Sequence, residues 1–329
     1  MRILNVLAAI VAFVAVMLAV AFIAAPREPL DRTMRFDPSA IGGDPDLYLA
    51  RQEANVPNLR PEAAKEIVWA YPKSRAKTPL AIVYIHGFAA SKGEMRPLAD
   101  KVAAALGANL FYTRLEGHGR DGAALEQAFV NDWINDLAEA VAIGRAIGTN
   151  VIIIGSSMGA TLSAYGATIP GVTDGTVGLV ALSPALRLAD WRSALLDLPE
   201  ARKIVAWWQP QSAFQSSGAT AEAVWTLRFP TAATVPLARL MRATREADLS
   251  QIRLPALFLY SPDDQLVDPA ATRAFIERWP AAHEAEAITG SGDPSKHILA
   301  GDILSPATTD AVAERIVAWV KTLPAAGTP

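Results

Sequence analysis

Cysteine is absent from the 329-residue chain. Disulfides, a thiolate nucleophile and thiolate metal ligands are excluded together. The absence suits an oxidising compartment without requiring one. Histidine is scarce, at four residues, and no H-E-x-x-H run occurs, so neither a metal nor an organic cofactor is implied. Basic residues form no block: 30 Lys and Arg stand against 33 Asp and Glu, for a net charge of −3. Without an electrostatic footprint for phosphates, nucleic acid is not an expected partner. Repeats and low-complexity tracts are missing too.

Charge is missing altogether between Ile3 and Ala25, where Asn5 is the only polar residue. At about 1.5 Å per residue the run matches the ~30 Å hydrocarbon core of a bilayer. Amphipathic spacing is lacking, and the run exceeds the roughly 7–15 apolar residues of a secretory signal. Pro26 directly after Ala24-Ala25 disfavours cleavage. The expectation is a single N-terminal membrane anchor over residues 3–25, with secretion after signal cleavage as the alternative. Arg27, Arg32 and Arg35 follow the run, so the positive-inside rule does not by itself choose a topology. A periplasmic or extracellular location of the downstream domain is the expectation carried forward.

What is present supports a large core. The chain is 51% hydrophobic and 19% charged, and its length suits one large domain or one with an insertion. Residues 26–64 hold six prolines and Gly42-Gly43 and read as a linker with short local structure near Pro45–Glu53. From residue 65 β-branched runs alternate with helix-length segments. Strands are expected over 66–71, 80–85, 108–113, 151–154, 178–182, 256–260 and 284–288, with helices over 96–106, 132–147 and 312–320. That alternation predicts an α/β fold with a mostly parallel, doubly wound sheet. Residues 185–253 break it. They hold Trp191, Trp207, Trp208 and Trp225 but no clear strand, and read as a helical insertion between core segments 65–184 and 254–325.

Within this pattern, Val151-Ile152-Ile153-Ile154-Gly155-Ser156-Ser157-Met158-Gly159 reads as strand, tight turn and helix start. A serine centred between two glycines on such a turn has the form of a nucleophile elbow, where only small residues fit two positions either side. Ser157 is the candidate nucleophile, and Ser156 is off centre. A serine hydroxyl needs a base. In an open parallel sheet ligands gather beyond the carboxyl ends of the strands, which counts against His283, placed before the last strand. His297, in the loop after that strand, is the best base. His86 reads as a brace for its own loop and His118 as structural. On position alone Asp263, Asp264 and Asp268 all qualify as the acid that would hold the imidazole. The order Ser157, Asp264, His297 is the order such enzymes use.

These residues resemble the α/β-hydrolase superfamily, and within it the branch of monoacylglycerol lipases, bacterial carboxylesterases and serine aminopeptidase-like hydrolases. The resemblance spans about residues 65–322 and rests on His86-Gly87-Phe88, Arg114 to Gly119, Asp132-Trp133, the elbow, Ser261 to Val267 and His297. It implies that Phe88 and Met158 supply the backbone N–H groups of an oxyanion hole. It selects Asp264, two residues before the Leu266-Val267 pair. It also implies that the insertion is a cap. Two departures stand out: Ser156, where many relatives carry a bulkier residue, and a long loop before His297.

The expected activity is hydrolysis of a carboxylic ester with an apolar acyl or alkyl group through an acyl-enzyme on Ser157. The expected partner is a small ester, lipid-derived if the membrane run bears on function. Thioesterase and peptidase activities are alternatives within the fold. A non-catalytic binding protein on the same fold is the alternative from another class.

Overall fold

Isoleucine and valine at 151–154 offer no polar atom to either face of a strand, and the chain buries them on both. In the computed structural model, which describes residues 2–215 and 218–324, each of the four is fully buried. They lie in a seven-stranded sheet made of β1 (Glu66–Val68), β2 (Thr78–Ile85), β3 (Asn109–Tyr112), β4 (Gly148–Ser156), β5 (Thr176–Leu182), β8 (Ala256–Tyr260) and β9 (His283–Ala287). Two further short strands, β6 (Gln211–Ala213) and β7 (Arg228–Pro230), pair antiparallel outside that sheet.

The sheet order is β1-β3-β2-β4-β5-β8-β9. Only β1 runs antiparallel to its neighbour; the other pairings are parallel. The carboxyl ends of β2, β4, β5 and β8 therefore open on one edge. The helices are α1 (Arg2–Ala24), α2 (Pro45–Ala54), α3 (Leu98–Leu106), α4 (Gly122–Glu126), α5 (Val130–Ile147) and α6 (Met158–Gly166). After them come α7 (Ala201–Trp208), α8 (Ala219–Val224), α9 (Thr234–Glu246), α10 (Pro269–Ile276) and α11 (Pro306–Val320).

The two-residue period of a strand splits the core into two layers. Val151 and Ile153 join Val83, Trp133 of α5 and Leu162 of α6 on one face. Ile152 and Ile154 join Ile82, Val102 of α3 and Ile316 of α11 on the other. Each such aliphatic side chain contributes about 1.5–3 kcal/mol relative to exposure. The expected α/β fold with a mostly parallel sheet is the fold observed, and the strand at 256–260 has the expected ends. Helix α5 starts two residues earlier than expected, because Asp132 accepts a hydrogen bond from Phe129 N–H at 2.9 Å and caps it.

Residues 185–253 are mostly helical, with β6 and β7 as an unexpected ribbon. Each of those strands is three residues long, too short for alternation to register in the sequence. Residues 26–64 pack on the core through Ile41, Tyr48 and Leu49. Tyr48 Oη donates to Glu139 at 2.7 Å, and Lys65 pairs with the same carboxylate.

The expected transmembrane helix is not supported. Residues Arg2–Ala24 do form one helix, with exposed apolar side chains such as Phe13, Val16 and Ile23. Among the described residues, however, no helix is long and apolar enough to cross a membrane. The side chains at 3, 4, 6, 8, 9, 18 and 19 of the expected span lie outside the described residues.

One contact ties the sheet to the elbow. A Cβ on Gly159 would lie 2.1 Å from Ile85 O and 2.7 Å from His86 O, both backbone atoms that cannot rotate away. Gly159→Ala should therefore destabilise the protein by about 1–3 kcal/mol, the usual cost of overpacking. Chemical denaturation measures this, and an unchanged midpoint would contradict so close an approach.

Candidate active site

Strand β4 ends at Ser156 and helix α6 begins at Met158, so Ser157 alone makes the turn. Its backbone takes φ 50° and ψ −112°, a conformation that L residues rarely adopt and that costs of order 1–3 kcal/mol. Surrounding bonds enforce it. Ser157 N–H donates to Leu182 O of β5 at 2.8 Å, while Ser157 O accepts from Thr161 N–H and Ala185 N–H. Gly155 and Gly159 are both required: a Cβ on Gly155 would come within 2.6 Å of Ala160 Cα.

The structure brings Ser157, His297 and Asp264 together. His297 Nε2 is 2.8 Å from Ser157 Oγ, and its Nδ1 is 2.7 Å from Asp264 Oδ2. Asp264 Oδ1 accepts from Leu266 N–H and Val267 N–H, each at 2.9 Å. With a carboxylate against Nδ1, the hydrogen sits on that nitrogen and the lone pair of Nε2 faces the serine hydroxyl. Asp264 and His297 are buried, whereas Ser157 is partly open.

The other candidates lie elsewhere. Asp263 is exposed on the turn. Asp268 caps α10, accepting from Ala270 N–H at 2.8 Å, and pairs with Arg187. His283 lies exposed at the start of β9. His118 is buried with its Nδ1 3.0 Å from Glu116 O, its Nε2 makes no hydrogen bond, and burial pulls it well below the usual histidine range. His86 does brace its loop: it joins Gly87 O at 2.8 Å and receives Leu115 N–H at 3.1 Å.

The two expected oxyanion donors flank the serine in chain or in space. Met158 follows it directly. Phe88 follows Gly87, whose added Cβ would lie 3.4 Å from Ser157 Cβ. Neither N–H donates to an acceptor among the described residues. Phe88 continues into an aromatic row with Phe229 and Phe214, at centroid distances of 5.4 and 5.3 Å.

Sequence reasoning missed what shapes the long loop before His297. Asp293, nearly buried, accepts from His297 N–H at 3.0 Å and Ile298 N–H at 2.8 Å through Oδ2, and from Ser295 N–H through Oδ1. Ser183, just beyond β5, donates to His297 O at 2.7 Å. Asp-Pro-Ser is a turn signal, and it could have marked Asp293 as the centre of a folded loop. No comparable signal marks Ser183 or the buried Glu94. A cavity of about 670 Å³ is lined by Leu30, Tyr165, Arg239 and Ala243, among others, and includes none of Ser157, Asp264 and His297. Among the described residues no group of three or more acidic or histidine side chains could hold a metal ion.

The chain matches known proteins along most of this framework. The family model described as serine aminopeptidase, S33, matches residues 76–290. A thermostable monoacylglycerol lipase of Bacillus sp. (strain H-257) is 28% identical over 207 residues, which cover 58% of this chain and 73% of the lipase. Among solved structures, one described with LipS and LipT, two metagenome-derived lipolytic enzymes, superposes with a TM-score of 0.63 at 21% identity. That match covers 80% of this chain and 99% of the other. A soluble variant of the Saccharomyces cerevisiae monoglyceride lipase gives 0.58 at 14% identity, covering 79% and 90%. These two likenesses carry the fold, whereas the family match covers well over half of the chain: this protein is an α/β hydrolase of the serine aminopeptidase, S33 family.

Proposed function

We propose that the protein is a serine hydrolase that cleaves carboxylic esters bearing an apolar acyl or alkyl group. The observation that carries this reading is His297, with one ring nitrogen 2.8 Å from Ser157 Oγ and the other 2.7 Å from Asp264. In the proposed reaction Ser157 Oγ attacks the ester carbonyl while its proton passes to His297 Nε2. Asp264 holds the resulting imidazolium. The carbonyl π electrons move onto oxygen, where Phe88 and Met158 N–H groups stabilise the charge, a contribution often of about 2.7–4 kcal/mol per donor. Collapse breaks the bond to the alcohol oxygen, which takes the proton from His297. Water, deprotonated by the same imidazole, then cleaves the acyl-enzyme.

Two observations support an apolar substrate. The row of Phe88, Phe229 and Phe214 extends from the oxyanion loop into the 185–253 segment, which we read as a cap. The Bacillus relative is a monoacylglycerol lipase, which favours an ester over a thioester or a peptide. The tryptophans of the segment contribute differently from one another. Trp191, Trp207 and Trp208 face solvent, and Trp225 is partly buried.

Membrane association, with the catalytic domain on the outer side, belongs to the same proposal. It is supported by the sequence of residues 3–25 and by exposed side chains such as Phe13 and Ile23.

Ser157→Ala and Asp264→Asn should each lower ester turnover by about 10⁴-fold or more, and Asp263→Asn by little. Steady-state kinetics on a p-nitrophenyl ester, with fluorophosphonate labelling of Ser157, reads this out. An unlabelled Ser157 in folded protein would refute the enzyme reading.

Across p-nitrophenyl esters of increasing chain length, kcat/KM should rise from acetate to medium chains and exceed that for acyl-CoA or aminoacyl amides. A preference for aminoacyl amides would make the protein a peptidase instead.

Expressed with residues 1–25 the protein should sediment with membranes, and without them it should stay in the supernatant. Equal partitioning of the two forms would remove the membrane from the proposal.

A further inference from the structure

Gly87 is held at both of its backbone polar atoms by side chains. On the carbonyl side the holder is His86. Leu115 N–H donates to His86 Nε2 at 3.1 Å, so that nitrogen carries no hydrogen. The hydrogen is on Nδ1, which therefore donates to Gly87 O at 2.8 Å. Burial pulls His86 down to about 4, so the ring stays neutral and keeps this tautomer. Gly87 C=O and Phe88 N–H belong to one planar trans peptide, so fixing the first fixes the direction of the second.

On the amide side the holder is Glu94, from the short 3-10 turn Lys92–Glu94. Its Oε1 accepts Gly87 N–H at 2.7 Å and Tyr84 O–H at 2.8 Å. The side chain is 1% exposed and makes no ion pair among the described residues. Its other oxygen would lie 2.9 Å from a Cβ on Gly87, so the glycine is what lets it come close. The hydroxyl of Ser156, the residue before Ser157, lies close enough to act on the carboxyl although it makes no well-formed hydrogen bond. Glu94 thus touches the loop that leads to one oxyanion donor and the strand end that leads to the other. It contacts neither Ser157 Oγ nor the imidazole of His297 by hydrogen bond.

A carboxyl so deeply buried is a costly way to satisfy one tyrosine hydroxyl. We propose that Glu94 is a positioning residue for the reaction: it holds Gly87 N–H so that, with His86 on the carbonyl, the Gly87–Phe88 peptide cannot turn away as charge develops on the substrate oxygen. The proposal rests on the reading of Ser157 as nucleophile and Phe88 N–H as oxyanion donor. Burial pushes Glu94 up to about 7, so its neutral form, which adds no negative charge beside the oxyanion, is accessible near neutrality. Glutamine keeps the acceptor oxygen for Gly87 and Tyr84 and carries no charge at all.

The test compares wild type, Glu94→Gln, Glu94→Asp and Glu94→Ala, each checked for folding by thermal melting. Each is measured for kcat and KM on a p-nitrophenyl ester and for affinity toward an alkyl boronic acid that forms a tetrahedral adduct on the serine. Glu94→Ala should lower kcat by roughly 10-fold or more, short of the ~10²–10³ cost of deleting a donor outright, with KM little changed. Boronate affinity should fall by the same factor as kcat, and Glu94→Gln should recover most of both. If Glu94→Ala does not fold, Glu94→Asp carries the same expectation, because its carboxyl is drawn back by one methylene. A folded Glu94→Ala or Glu94→Asp with wild-type kcat would overturn the proposal. So would a loss confined to KM, a loss of kcat without loss of boronate affinity, or a glutamine variant as poor as alanine. Failure of the serine-hydrolase reading itself looks different: wild type would then neither turn over ester nor react with a fluorophosphonate.

Discussion

Gly159 has no side chain, and the carbonyl oxygen of Ile85 lies where one would begin. That approach brings the first turn of α6 against the end of β2 and sets the distance between the two segments that carry Met158 and Phe88. The strained backbone of Ser157 persists because its neighbours over-determine it. Leu182 at the end of β5 holds its N–H, and Thr161 of α6 and Ala185 hold its carbonyl; all three are buried. Large aliphatic cores on both sheet faces make such strain tolerable at one residue.

Rigidity continues outward from that contact through side chains that hold backbone. Asp293 gathers three N–H groups in the loop before His297, and Ser183 holds the His297 carbonyl. Asp264 is fixed by the N–H groups of Leu266 and Val267 before it reaches the imidazole. Gly87 is clamped by His86 and Glu94. The side chains proposed to react are few, and most polar groups around them orient a peptide or a ring. Preorganised backbone donors are the kind of feature that stabilises developing charge without reorganisation.

The 185–253 segment follows different physics. Its ribbon pairs three residues with three, its helix α7 spans Ala201–Trp208, and three of its tryptophans face solvent. Short elements bury little area each, so the segment depends on contacts with the core rather than on its own interior. Pro26 O accepts Glu200 N–H, and Arg202 pairs with the nearly buried Glu28, so the N-terminal segment fastens to this region as well as to the sheet.

Much of the framework is legible in the sequence because it repeats along the chain. All-apolar β-branched runs make buried parallel strands, and a serine between two glycines after such a run makes a tight turn. Ser157 and the scarcity of histidine make His297 the candidate base from the sequence alone. Sequence left Asp263, Asp264 and Asp268 equivalent by position, because a turn aspartate looks the same whether it caps a helix, faces solvent or meets an imidazole; the family resemblance favoured Asp264. Only the tertiary structure separated the three, through the direction in which the turn after β8 points each carboxylate. The same holds for Asp293, Ser183 and Glu94, whose partners are 2 to 114 residues away in sequence or lie in a loop without periodicity. Local composition determined which segments are buried and where the chain turns sharply. Which polar side chain meets which backbone atom was decided only when the strand ends were brought to one edge of the sheet.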